Sequence, residues 1–188
     1  QPPRPSDIEP KVRSTGIEGR RAWDALPVER NFGSMSLGRG GCGIRAADGA
    51  LSCWGPNDLD NVSSVGQIGD GSSTRRYAPV FIDRPTPYFK VSVGTQHTCA
   101  ITQTNDLRCW GYNNAGQLGI SNSTNQLLPV QVDTGYQQVS VGTGFTCGVR
   151  SGVVNCWGKN DVGQLGIGSF GGNQTMPTPT TLINALQV

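Results

Sequence analysis

Apolar residues along most of this chain cluster in short stretches of about five residues, interleaved with polar ones and bounded by Gly, Asn, Asp and Ser. Runs of that length bounded by turn residues predict short β-strands. Within residues 89–136 the pattern predicts four strands: Lys90 to Gly94, Thr98 to Thr102, Leu107 to Gly111 and Val130 to Asp133. The middle two read as a hairpin with Asn105-Asp106 at its tip. Asp48-Gly49 and Ser151-Gly152 supply the same turn chemistry for two further hairpins.

The unit occurs three times. Cys-Trp-Gly stands at Cys53-Trp54-Gly55, Cys109-Trp110-Gly111 and Cys156-Trp157-Gly158. A second Cys precedes each, at Cys42, Cys99 and Cys147, and a Gly-Gln-Leu/Ile-Gly tetrad follows each, starting at Gly66, Gly116 and Gly163. A Ser-Leu/Val-Gly entry opens each unit at Ser36, Ser92 and Ser140. Two units close on Pro-Val-x-Ile/Val-Asp, at Pro79 to Asp83 and Pro129 to Asp133; the third closes loosely around Pro177 to Leu182. The period is 56 residues from Trp54 to Trp110 and 47 from Trp110 to Trp157, and a six-residue insertion within Pro56 to Val65 accounts for most of the difference. Four strands repeating at this spacing predict propeller blades. The expected fold is all-β: three four-stranded repeats (33–88, 89–136 and 137–186) after an N-terminal extended arm (1–32). Gln187-Val188 falls in register with Lys90-Val91 and Gln138-Val139, so a fourth repeat is expected to start at 187–188. Three blades do not close a ring, and the edges of an incomplete propeller invite cover by a partner or another copy.

These motifs resemble the regulator of chromosome condensation repeat. The second unit shows the pattern almost in full, from Gly94-Thr95-Gln96-His97-Thr98-Cys99-Ala100 through Cys109-Trp110-Gly111-Tyr112-Asn113 to Gly116-Gln117-Leu118-Gly119. The resemblance covers about residues 33 to 188. It implies a β-propeller, usually of seven blades in that family, that meets protein partners through loops. The third unit departs with Phe145 in place of His97. The first is one residue shorter before Cys42 and carries Gly41 in place of Thr, so its first hairpin strand is expected to be the least regular. One branch of the family senses ultraviolet light through clustered extra Trp; here only Trp23 lies outside the repeat register, which speaks against that role. A nuclear branch exchanges nucleotide on a small GTPase, and no insertion here is long enough to act as its wedge. The recurring Trp54, Trp110 and Trp157 are expected to pack between blades.

All six Cys fall in pairs that bracket the hairpin tips, at separations of 11, 10 and 9 residues. Cys99 and Cys109 are symmetric about residue 104 and should face each other across the hairpin. Directly opposed Cβ atoms lie about 4.5–5.5 Å apart, and a disulfide needs about 3.5–4.5 Å. The expected bridges are Cys42–Cys53, Cys99–Cys109 and Cys147–Cys156, with buried free thiols as the alternative. Zinc is the weakest reading, because no Cys-x-x-Cys occurs and His97 is the only His. Bridges imply an oxidising setting: extracellular, cell-surface, periplasmic or an organelle lumen. The chain begins with Gln rather than Met, and a removed targeting peptide is the expectation in such a setting. Asn61, Asn122 and Asn173 each open an Asn-x-Ser/Thr sequon in a predicted loop, about as many as chance supplies.

Composition narrows the function. Gly numbers 27 and Pro 12 in 188 residues, which suits strands and tight turns and disfavours long helices. A net charge of +2 is too small for a nucleic-acid surface, and no apolar run of 18 residues exists to span a membrane. No base and nucleophile pair at catalytic spacing. His97 reads as structural, the Asp residues of the repeats as solvated turn positions, and the Gly-rich stretch Gly38 to Gly43 as close strand contacts rather than a phosphate cradle. No catalytic, cofactor or metal site is expected, and a small-molecule ligand is not favoured. Ahead of the repeats, Ile17, Trp23, Leu26, Val28 and Phe32 offer apolar anchors among charged residues, as an arm lying on a partner would. The function expected is a non-catalytic protein-binding or scaffolding module, a subunit of a larger assembly, reached through the arm, blade edges or loops. The alternative is a free secreted recognition or enzyme-inhibitor protein.

Overall fold

The computed structural model describes residues 32–58 and 65–183. Among them the chain forms twelve strands in three antiparallel four-stranded sheets, each following chain order. The first blade holds β1 (Phe32–Leu37), β2 (Gly41–Arg45), β3 (Leu51–Gly55) and β4 (Arg76–Ile82). The second holds β5 (Tyr88–Val93), β6 (His97–Thr102), β7 (Asp106–Gly111) and β8 (Gln126–Thr134). The third holds β9 (Tyr136–Val141), β10 (Phe145–Arg150), β11 (Val153–Gly158) and β12 (Gln174–Ile183). The repeats are therefore blades of a partial propeller, with β5 adjacent to both β1 and β9 on the inner side and β4, β8 and β12 outermost.

Local chemistry sets the hairpins. Gly49, Asn105 and Gly152 take φ of 72°, 63° and 76° at the three tips, a region that Gly and Asn occupy at little cost. In the first tip Arg45 Nε donates to Asp48 Oδ1 at 2.8 Å, and the same oxygen accepts from the Ala50 N–H at 3.1 Å. The Arg45 guanidinium, with that N–H, holds the Asp48 carboxyl well below the usual carboxylate range. The β2–β3 hairpin pairs four residues, against five in β6–β7 and six in β10–β11, yet its register is unbroken. The one-residue shortening before Cys42 costs length and leaves regularity intact.

The outer strands differ from expectation. Val130 to Asp133 was expected as a separate short strand, but β8 runs from Gln126 through Pro129. The reason is a bulge. Gly111 pairs with Gln126 and Cys109 with Val130, so two steps on β7 face four on β8. The same offset sets Gly55 against Arg76 and Cys53 against Val80, and Gly158 against Gln174 and Cys156 against Thr178. Pro79, Pro129 and Pro177 occupy the same place in the three bulges. A residue with no N–H is tolerated there because the ladder is already interrupted.

The apolar core lies between blades. One cluster joins Ile44, Leu51 and Ile82 of the first blade to Tyr88, Val91, Val93 and Trp110 of the second. Another joins Ile101, Leu107 and Leu118 of the second to Tyr136, Val139 and Trp157 of the third. The middle strands are covered on both faces, and every residue of β6 is buried.

Each hairpin carries one bridge: Cys42–Cys53, Cys99–Cys109 and Cys147–Cys156, with Cα atoms 4.1 Å apart in each. All six Cys stand directly opposite their partners in the ladder. Loops this short should each contribute about 2–3 kcal/mol by restricting the unfolded chain. Replacing Cys99 and Cys109 together by Ala should lower the urea unfolding free energy by about that amount. An unchanged midpoint and slope would show that the bridge is not a staple.

Candidate functional site

The recurring residues converge on the seams between blades. Each seam starts with an Asn three residues after the Trp. Asn57, Asn113 and Asn160 have no exposed surface. Asn113 Oδ1 accepts the Leu118 N–H at 2.9 Å, while its Nδ2 donates to the Asn122 carbonyl at 2.9 Å and the Thr124 carbonyl at 3.0 Å. Asn57 does the same to Ile68, Ser72 and Thr74, and Asn160 to Leu165 and Ser169. One buried amide thereby ties down the loop that carries each Gly-Gln-Leu/Ile-Gly tetrad. In the first blade Asp70 adds a bond to Arg76. Burial works against its ionisation, but the Ser72 hydroxyl and Arg76 hold it below its ordinary value.

The fixed tetrad is a seat for the next blade. Trp110 Nε1 donates to the Gln67 carbonyl at 3.0 Å, and Thr98 Oγ1 donates to the same oxygen at 2.9 Å. A Cβ on Gly69 would come within 2.5 Å of Trp110 Nε1, so the indole needs a bare Cα there. One blade later Thr146 Oγ1 donates to the Gln117 carbonyl at 2.9 Å. Trp157 stands over Gly119, where a Cβ would lie 2.6 Å from its Nε1. Closer to the axis, Ser36 Oγ accepts the Val93 N–H at 2.9 Å and Ser92 Oγ accepts the Val141 N–H at 3.0 Å. Trp54, in the first blade, lies over Gly41 of its own hairpin, where a Cβ would meet the indole at 2.6 Å.

His97 belongs to the second seam. It is fully buried, with Nε2 2.8 Å from Thr146 Oγ1. The Thr146 proton is directed at Gln117, so Nε2 carries the ring proton and the imidazole is neutral. Burial pushes its pKa down to about 3. At the hairpin end of the first seam, Tyr88 Oη donates to Asp83 Oδ2 at 2.7 Å and Arg108 Nη1 to the same oxygen at 2.5 Å. Burial, and then the Asp83 carboxylate, push the Tyr88 hydroxyl far above its ordinary value. Asp83 was read as a solvated turn residue; it is instead half-buried and joins two blades. At the second seam Asp133 pairs with Arg150, and burial pushes Tyr136 up to about 12.

The remaining candidates divide by place. Asn122 and Asn173 lie in exposed loops. The Asn122 carbonyl and side chain take part in the amide clasp, where its Oδ1 accepts the Thr124 N–H at 2.9 Å. Asn61, Ile17, Trp23, Leu26, Val28 and positions 187–188 lie outside the described residues. Phe32 was assigned to the arm. It is the first residue of β1, paired with Arg45, and its ring lies over Gly43 within the blade. No group of three potential metal-ligating side chains occurs among the described residues. The clasp asparagines and the Thr98 and Thr146 donors were missed as sites, although both recur in register: Asn three residues after each Trp, Thr just before two of the hairpin Cys.

Two family models, both described as the regulator of chromosome condensation (RCC1) repeat, match residues 90–117 and 107–149. The chain is 34% identical over 139 residues to the ultraviolet-B receptor UVR8 of Arabidopsis thaliana, which covers 67% of the chain and 30% of the receptor. It is 33% identical over 110 residues to protein RCC2 of Homo sapiens, covering 57% of the chain and 19% of that protein. The chain thus spans under a third of the length of these curated relatives. Among solved structures, Prp20p of Saccharomyces cerevisiae superposes with a TM-score of 0.68 at 18% identity, over 79% of the chain and 38% of Prp20p.

Two measurements test the seams. Asn113→Ala removes four bonds from a fully buried clasp and should cost about 2–4 kcal/mol in chemical unfolding, since stranded buried groups carry the full desolvation penalty. A loss under half a kcal/mol, about the size of an exposed surface substitution, would refute the clasp. Between about pH 6.5 and about 3 the unfolded chain binds a proton at His97 that the folded chain does not. Stability should therefore fall as pH drops through that window, by up to about 1.4 kcal/mol per pH unit. His97→Gln keeps a donor for Thr146 and should flatten the upper part of this slope, above the carboxylate range; an unaltered slope would count against a neutral buried imidazole.

Proposed function

Because the chain belongs to the regulator of chromosome condensation repeat family, we propose that it is a non-catalytic protein-binding module, acting as a structural or accessory subunit of a larger assembly. The observation that carries this reading is how the residues divide. The recurring polar groups bond to one another across or within seams, and His97 is buried and neutral. The side chains that vary between repeats point outward: Leu128 and Met176 are each 56% exposed on the outer strands. Met176 lines a groove of about 440 Å³ together with Val130, Val132 and Pro177, and Leu128 holds the equivalent place one blade earlier, beside Gly71. Apolar side chains on a rigid frame suit recognition of another protein. The structural relative Prp20p is described by its binding to Gsp1p and histones; only the general habit of binding proteins is carried over here.

The three bridges support an oxidising compartment as the place of action. The native chain should resist alkylation until reduced, as read by intact mass; thiols that label without reduction would remove the compartment argument. For the binding role, the chain captured from its source should retain a stoichiometric partner. Leu128→Asp with Met176→Asp should release that partner at least tenfold faster while leaving the melting temperature unchanged. Undiminished capture by this double variant would move the binding site elsewhere, and turnover of a substrate would overturn the non-catalytic reading. A partner that is itself an enzyme inhibited by the chain would favour the free-inhibitor alternative.

A further inference from the structure

The hairpin ends of the two seams share an Asp and a Tyr and differ in what meets them. At the first seam an arginine does. Arg108 Nη1 donates to Asp83 Oδ2 at 2.5 Å, and Tyr88 Oη donates to the same oxygen at 2.7 Å. The guanidinium also bears on the Tyr88 hydroxyl itself. Ladder register fixes the counterparts at the second seam. Cys109 pairs with Cys99 and Cys156 with Cys147, so Asn155, just before Cys156, stands where Arg108 does. Asp83 and Asp133 each close a Pro-Val-x-Ile/Val-Asp motif, and Tyr88 and Tyr136 are each the first residue of an inner strand.

Asn155, with its shorter side chain, donates instead to the Val153 carbonyl of its own strand, at 3.1 Å. A cavity of about 400 Å³ lies at this end of the seam, lined by Asp133, Tyr136, Arg150, Ser151, Asn155 and Pro177. Tyr136 is fully buried, yet its Oη has no hydrogen-bond partner among the described residues. The ring is held in place. It stands edge-on to Trp157 with 6.1 Å between centroids, and a Cβ on Gly148 would come within 2.7 Å of it. Arg150, from the adjacent strand β10, pairs with Asp133 but leaves Oη unbonded. That pair is exposed, with side chains 44% and 41% accessible, so it holds the carboxylate weakly. A carboxylate accepts about four hydrogen bonds, and Asp133 Oδ1 takes one more from the Thr134 N–H at 2.8 Å. The cavity thus arises from a change of residue between repeats, asparagine for arginine, at a seam whose two blades are both described.

We propose that this cavity receives an arginine side chain of the protein partner, whose guanidinium takes the place that Arg108 fills at the first seam. The chain supplies the template, since the same Asp and Tyr one blade earlier hold a guanidinium in the folded protein. At the second seam the guanidinium donates to Asp133 and to the Tyr136 oxygen, whose lone pairs are unused. Its planar fork reaches both at once, which the point charge of a lysine does not. The cavity shares Asp133 and Pro177 with the groove beside Met176. One partner segment therefore spans both, with an apolar side chain on the outer strands and the arginine at the hairpin end. The inference rests on the protein-binding reading above and names the chemistry of one partner residue.

Capped arginine, acetylated at its amine and methylamidated at its carboxyl, is the probe. Titrated into the 188-residue chain, it should shift the backbone amides of Ser151 and Val153 saturably in NMR spectra. Capped lysine, and capped citrulline with its shape but no charge, should bind roughly tenfold more weakly. Tyr136→Phe removes a hydroxyl that holds no bond, so it should melt like wild type while weakening capped arginine roughly tenfold. Asn155→Arg fills the cavity from within, as Arg108 does, and should abolish the saturable shift. No shift in wild type, equal binding of lysine or citrulline, or wild-type affinity in either variant would each refute the proposal. Such a failure, with Leu128→Asp and Met176→Asp still releasing the captured partner, would sink the arginine pocket and leave the binding role standing.

Discussion

The backbone carbonyls of Gln67 and Gln117 are the points on which the arc turns. Gln67 O takes an indole N–H and a threonine hydroxyl from the second blade, and Gln117 O takes a threonine hydroxyl from the third. Those bonds are made in a buried interface, where an unpaired carbonyl would cost about 1–3 kcal/mol. They therefore fix the angle and spacing of one blade on the next. Everything nearby serves to hold each oxygen in place. The clasp asparagine ties the loop from behind, and the glycine two residues on keeps the approach clear.

This arrangement follows from the size of a blade. A sheet of four short strands has too little apolar surface to form a core alone. Accordingly the two largest clusters here straddle seams, with Ile44 and Leu51 packing on Tyr88 and Trp110, and Ile101 and Leu107 on Tyr136 and Trp157. Among the described residues, only Val149, Val154, Cys156 and Leu165 cluster within one blade, the third. The disulfides act on a different scale. They join strands already adjacent in the ladder, so they strengthen each hairpin without setting how blades meet.

The blades are alike in their frame and unlike in their ion pairs. Tyr88, Asp83 and Arg108 form one network at the first seam. At the second, Asn155 stands in the place of Arg108, Asp133 turns to Arg150, and Tyr136 Oη has no hydrogen-bond partner among the described residues. His97 bonds across the second seam, while its counterpart in the third blade, Phe145, has a ring that packs on Gly142. The frame tolerates such exchanges because its geometry rests on backbone carbonyls and glycines, which do not vary.

The sequence by itself determined the repeat, the strand count, the hairpin tips and the pairing of the cysteines. Each depends on short-range spacing: period, turn chemistry and symmetry about a turn are all visible along the chain. Tertiary structure alone decided what the repeated residues touch. Nothing in the spacing of Asn113 shows that its amide reaches Asn122 and Thr124, and nothing around Asp83 shows that it lies between Tyr88 and Arg108 of the next blade. The outer bulges were hidden for the same reason, since a Pro that breaks a strand and a Pro absorbed by a bulge look alike in sequence. A seam is made mostly between residues some thirty to sixty positions apart, so its partners appear only when the blades are set side by side.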